Sequence, residues 1–142
     1  MIRIRNCFLF LLLFCFSPKY LFAQNRDKTI DSLLAVLGTI KEDILRIQVM
    51  NKLGKRYIHM AKYDEGTKYS SDAIALANRI INLDNNRVAG MTNAAKKGLG
   101  NAYNNLALVH FNKSNYAEAL KNNNIALKVF VETGDKNGIA SS

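Results

Sequence analysis

Few side chains in this 142-residue sequence have the reach for chemistry. His59 and His110 are the only histidines, and neither stands in a His-Glu-x-x-His or comparable pattern with metal-ligand spacing. No metal site is expected. The acidic pairs Glu42-Asp43 and Asp64-Glu65 fall where helices begin, and the positive end of a helix dipole accounts for them. Gly98-Leu99-Gly100 lacks the third glycine and the preceding strand of a dinucleotide fingerprint. Asn122-Asn123-Asn124 reads as a solvated helix face, and Asn112-Lys113-Ser114 is formally a glycosylation sequon. No nucleophile, base and orienting group come together, so the chain is read as non-enzymatic and without cofactors.

The elements behind these residues start with a targeting segment. Arg3 and Arg5 precede the uncharged block CFLFLLLFCF, Cys7 to Phe16, and Leu21-Phe22-Ala23 follows a short polar stretch. This is the three-part pattern of a secretory signal peptide, 1–23, cleaved after Ala23. The block is shorter than the roughly 20 residues a membrane span needs. Cleavage removes both cysteines, Cys7 and Cys15, and the sole proline, Pro18. The remaining chain, 24–142, then has no disulfide framework or thiolate site, and is expected to be periplasmic or secreted.

Charge excludes little beyond nucleic acid. The formal net charge is +9; without Arg3, Arg5 and Lys19, 17 basic residues face 11 acidic ones, leaving +6. Lysines and arginines are scattered, with only Lys55-Arg56 and Lys96-Lys97 adjacent, and form no basic stripe interleaved with aromatics. Acidic partners are compatible with such a balance.

From Asn25 onward the apolar spacing is helical. Ile30, Leu33, Leu34 and Leu37 form one stripe, with Gly38 as the expected stop. Thr39 and Glu42 have capping-box spacing and are expected to start the next helix, which carries Ile44, Ile47, Met50, Leu53, Gly54 and Tyr57 on one side. Tyr103, Leu106, Ala107 and His110 share a face of a later helix; after the turn residues Asn112 to Asn115, Tyr116, Ala119, Leu120, Ala126 and Leu127 do the same. A shift of 53 residues lays Leu53-Gly54 on Leu106-Ala107, Tyr57 on His110, Tyr63 on Tyr116, Gly66 on Ala119 and Ala73 on Ala126. The sequence therefore repeats a helix-turn-helix with small residues where two helices must approach closely.

That pattern resembles the tetratricopeptide repeat, whose signature runs bulky-x-x-Leu-Gly-x-x-Tyr and then Ala-x-x-x-Phe with a further Ala. Tyr103, Leu106-Ala107, His110, Ala119 and Ala126 fall in step with it, while Asn123 and Val131 depart from the usual aromatic and proline. The resemblance implies an all-α helix-turn-helix solenoid: repeat one over 47–83, a linker over 84–97 with Gly98 opening a helix, repeat two over 98–133, and the start of a third at 136–142. The leading helix would cover one end of the stack.

In tetratricopeptide proteins the first helices of successive repeats line a concave groove that holds extended peptides or partner helices. Carried over, that groove is formed by Asn51, Lys55 and Ile58 of one unit and Asn104, Leu108 and Phe111 of the next. The expected function is binding of a protein or peptide partner, with further repeats or self-association at the C-terminal end. The alternative is the N-terminal sensory region of a larger signalling protein such as a sensor kinase, cyclase or transcriptional regulator.

Overall fold

The computed structural model describes residues 27–83 and 89–142. The expected signal peptide 1–23, its cleavage point and the linker residues 84–88 lie outside the described residues. Six helices follow one another, and no strand occurs among the described residues: α1 (Lys28–Thr39), α2 (Asp43–His59), α3 (Tyr63–Leu83), α4 (Ala89–Asn112), α5 (Tyr116–Thr133) and α6 (Lys136–Ser141). None of them is long and apolar enough to cross a membrane.

Helix α1 starts at an N-cap, Asp27, whose carboxylate accepts from the Thr29 amide at 2.9 Å. It buries Ile30 against Val49 and Leu53 of α2, with Leu33 and Leu37 packed alongside. The expected stop at Gly38 comes one residue later, at Thr39. The Thr39 hydroxyl donates back to the Val36 carbonyl at 2.9 Å, so it is spent on α1. The expected Thr39–Glu42 capping box is thereby lost: Glu42 takes the N-cap position of α2 with no side-chain hydrogen bond.

Two hairpins repeat with the 53-residue shift down to single backbone hydrogen bonds. Lys62 N donates to Tyr57 O and Asn115 N to His110 O; Ala61 N donates to Ile58 O and Ser114 N to Phe111 O. The six-to-one bond closing each first helix demands a left-handed residue in the turn. Ala61 (φ 57°) and Ser114 (φ 60°) supply it at equivalent places. Asn115 then caps α5 by accepting from the Glu118 amide, the forward half of a capping box; the Glu118 carboxylate instead accepts from Lys121 at 3.4 Å.

Small residues set the helix spacing. Ala73 and Ala77 of α3 and Ala95 and Ala102 of α4 are fully buried around Ile47, in the central core. Gly66 leaves room for Ile58, Gly98 for Ile47, and Gly100 for the Phe130 ring, 2.6 Å from where a Cβ would stand. These contacts overturn the expected linker boundary. The helix expected to open at Gly98 starts instead at Ala89 and runs through Gly90, Gly98 and Gly100; at Gly98 and Gly100 close packing outweighs a propensity cost of about 1 kcal/mol per glycine, while nothing stands within 4 Å of a Cβ at Gly90.

Helix α5 departs from its expected core face. Ala119, Ala126 and the unforeseen Phe130 are buried, whereas Tyr116, Leu120 and Leu127 are exposed. Asn122, expected on a solvated face, is buried and donates to the Glu118 carbonyl at 2.7 Å. A left-handed Gly134 (φ 65°) ends α5, and Asp135 caps α6 through the Gly138 amide at 3.1 Å. Helix α2 touches α3 and α4, and α3 touches α4; the same triangle recurs with α4, α5 and α6, while α3 and α5 make no contact among the described residues.

Candidate functional site

A cleft of about 970 Å³ opens where α2, α4, α5 and α6 meet. Its position follows from the repeat. Lys52 and Lys55 come from α2, Asn104, Leu108 and Phe111 from α4, Tyr116 and Leu120 from α5, and Ser141 from α6. Five of the six residues expected to form a groove line it: Asn51, Lys55, Asn104, Leu108 and Phe111. Ile58 does not. It is buried against Gly66 in the seam between α2 and α3, where the missing side chain leaves a gap that only a residue of the facing helix fills.

Two of the five are less free than their spacing implied. Asn51 is buried, and its Nδ2 donates to the Gly98 carbonyl at 2.8 Å. Its own carbonyl accepts from Asn105 Nδ2 at 3.0 Å. This pair of bonds ties α2 to α4 across the floor of the cleft; Asn51 Oδ1 has no partner among the described residues. Asn104 donates to Ser141 Oγ at 3.0 Å and accepts from Ser142 at 3.3 Å, which moors α6. Both asparagines position the walls.

The charges divide differently. Lys52, Lys55 and Lys97 line the cleft and form no ion pair among the described residues. Asp135 is the one acid on its wall, and its carboxylate accepts the Gly138 amide. The cleft therefore presents an uncompensated positive side. Its other side is apolar: the Phe111 and Tyr116 rings meet edge to face with centroids 5.7 Å apart, beside Leu108 and Leu120. Both rings are more than half exposed.

Sequence reasoning missed the α5 contribution, because Tyr116 and Leu120 carry core spacing. It also passed over Lys52 and Lys97, whose exposure depends on which flank of the helix meets a neighbour.

Elsewhere, ion pairs join the helices. Arg56 bonds Asp27 and holds its carboxyl below the usual carboxylate range, the Thr29 amide adding to the effect against the cost of desolvation. Burial, with Tyr69 and Glu65 nearby, pushes the Tyr57 phenol up; its ring stacks on Tyr69 at 5.5 Å. Among the described residues, no three His, Cys, Asp or Glu side chains gather as metal ligands would. No protein family, curated protein or solved structure matches this chain.

Proposed function

We propose that this chain is an exported, non-catalytic module of tetratricopeptide type that binds a protein partner in the cleft between α2, α4 and α5. The single observation that carries this reading is the pairing of three lysines that form no ion pair among the described residues with an exposed aromatic wall in one 970 Å³ cleft. Uncompensated like charge around a cleft is a standing electrostatic field for an acidic ligand, and exposed large apolar side chains grouped in a hollow gain from being covered. The repeated hairpins support the tetratricopeptide assignment, since the shared turn bonds and the small residues at Gly54, Gly66, Ala107 and Ala119 occupy the signature's positions. Export rests on the charged, apolar and small-residue pattern of 1–23.

The experiment is selection from a displayed random-peptide library on the full chain and on a Lys52→Glu/Lys55→Glu/Lys97→Glu variant whose helicity is checked by circular dichroism. The wild-type chain enriches acidic peptides that contain a large apolar residue, and the variant loses them. Enrichment of the same peptides by both chains, or none by either, contradicts the proposal. The N-terminal sensory region of a larger signalling protein stands as the second reading, and the intact mass of the native protein tests it.

A further inference from the structure

Asn137 is the one asparagine in the sequence that is followed by glycine. Asparagine is among the chemically labile side chains, and a following glycine exposes it most. With no Cβ in the way, the next amide nitrogen reaches the side-chain carbonyl carbon unhindered. Asn137 is exposed, in the first turn of α6. The glycine that would attack it is held on three sides. Gly138 N donates to the Asp135 carboxylate at 3.1 Å. Its carbonyl accepts from the Ser141 hydroxyl at 2.9 Å. Its Cα lies so close to the Phe130 ring that a Cβ would stand 2.2 Å from ring carbon Cδ1.

We infer that Asn137–Gly138 is a deamidation site that Asp135 holds closed, so that the chain is modified there only when the first turn of α6 opens. In the reaction the Gly138 nitrogen gives its proton to solvent base and bonds to Asn137 Cγ. The Cγ–Nδ2 bond breaks, and the side-chain nitrogen takes a proton from water and leaves as ammonia. Water then adds to either carbonyl of the five-membered imide and opens it. Attack on one side leaves aspartate at 137; attack on the other leaves β-linked isoaspartate. Water is the only co-reactant.

The cap denies both requirements of ring closure. The proton that must leave Gly138 N is engaged by the Asp135 carboxylate. The helical turn, closed by the Ile139 N to Asp135 O bond at 2.9 Å, keeps the Asn137 backbone from the extended geometry that the ring needs. The gate is local, built from the cap and the Phe130 contact at the start of α6. Its failure is one-way. Isoaspartate routes the backbone through its side chain and adds a methylene before Gly138. The glycine then no longer fits against Phe130, a ring fully buried between Gly100 and Gly138.

The test incubates the full chain in mildly alkaline buffer at body temperature. Peptide mapping separates the asparaginyl, aspartyl and isoaspartyl forms around residue 137, and circular dichroism checks that each variant is helical. The wild-type chain deamidates at Asn137 at least about tenfold more slowly than the same chain unfolded in urea. Asp135→Ala raises the folded-state rate about fivefold, the population change that losing a helix cap brings. Asp135→Ser keeps a capping oxygen and stays within about twofold of wild type. Wild-type deamidation at the urea rate overturns the inference, as does an Asp135→Ala rate equal to wild type. Asp135→Ser as fast as Asp135→Ala overturns the hydrogen-bonded gate, and so does another asparagine reacting ahead of Asn137 in Asp135→Ala.

Discussion

Gly98 and Gly38 separate what a glycine does for packing from what it does to a helix. A Cβ at Gly98 would run into the Cγ2 methyl of Ile47, which is 1% exposed and has no free space to retreat into. Overpacking there costs about 1–3 kcal/mol, against a gain of about 1 kcal/mol in helix propensity. Gly98→Ala is therefore expected to lower stability by up to about 2 kcal/mol. Nothing stands within 4 Å of a Cβ at Gly38, so Gly38→Ala raises stability by about 0.5–1 kcal/mol. Denaturant melts of the two variants read both signs. The same pair shows why the linker boundary was not legible in the sequence. Local spacing marks a glycine as a breaker, and only the neighbour across the interface, Ile47 or Phe130, makes it a contact. Leu53-Gly54 and Leu106-Ala107 were legible because their residue types recur at the 53-residue shift. Ile58 was not, because its burial depends on the gap at Gly66.

At the scale of the element, the turns carry the next two expectations. Ala61 and Ser114 both sit in the left-handed region, φ 57° and 60°, where a side chain costs roughly 1–2 kcal/mol relative to glycine. Ala61→Gly and Ser114→Gly are each expected to raise stability by about 1 kcal/mol, less the entropy glycine adds to the unfolded chain. Thermal unfolding of the two single variants and the double checks it, and near-additivity follows from the separate hairpins. Helix α1 is held at its start by Asp27, which caps it and bonds Arg56 of α2. Because its folded pKa lies below the ordinary carboxylate value, its contribution is full above the unfolded pKa of about 3.9. That contribution is lost as pH falls through the depressed folded value. Hydrogen exchange in α1 is expected to accelerate relative to α4 on acidification below about pH 4. In Asp27→Asn that acceleration is expected to shrink. Unchanged pH dependence in the variant contradicts the assignment.

Across the whole molecule, one arrangement explains the position of the cleft. The α2–α3 hairpin packs on α4 and the α4–α5 hairpin on α6, and both hairpins close with the same backbone bonds. The consequence is a wall shared by α2 and α4, with lysines on one side and, through the uncovered part of α5, aromatic and aliphatic residues on the other. The groove was legible to the extent that helix periodicity places Lys55, Asn104, Leu108 and Phe111 on one side of their helices. The α5 wall was not, because Tyr116 and Leu120 have the spacing of core residues yet stand exposed on the cleft. The central claim, that a partner occupies this cleft, is tested most directly by amide chemical-shift mapping of the isotope-labelled full chain titrated with an acidic peptide recovered by the display selection. The account predicts saturable shifts at Lys55, Asn101, Leu108, Leu120 and Asn123, with α1 and the exposed face of α3 unmoved. Shifts confined to α1 and α3, or no saturable shifts, would contradict it.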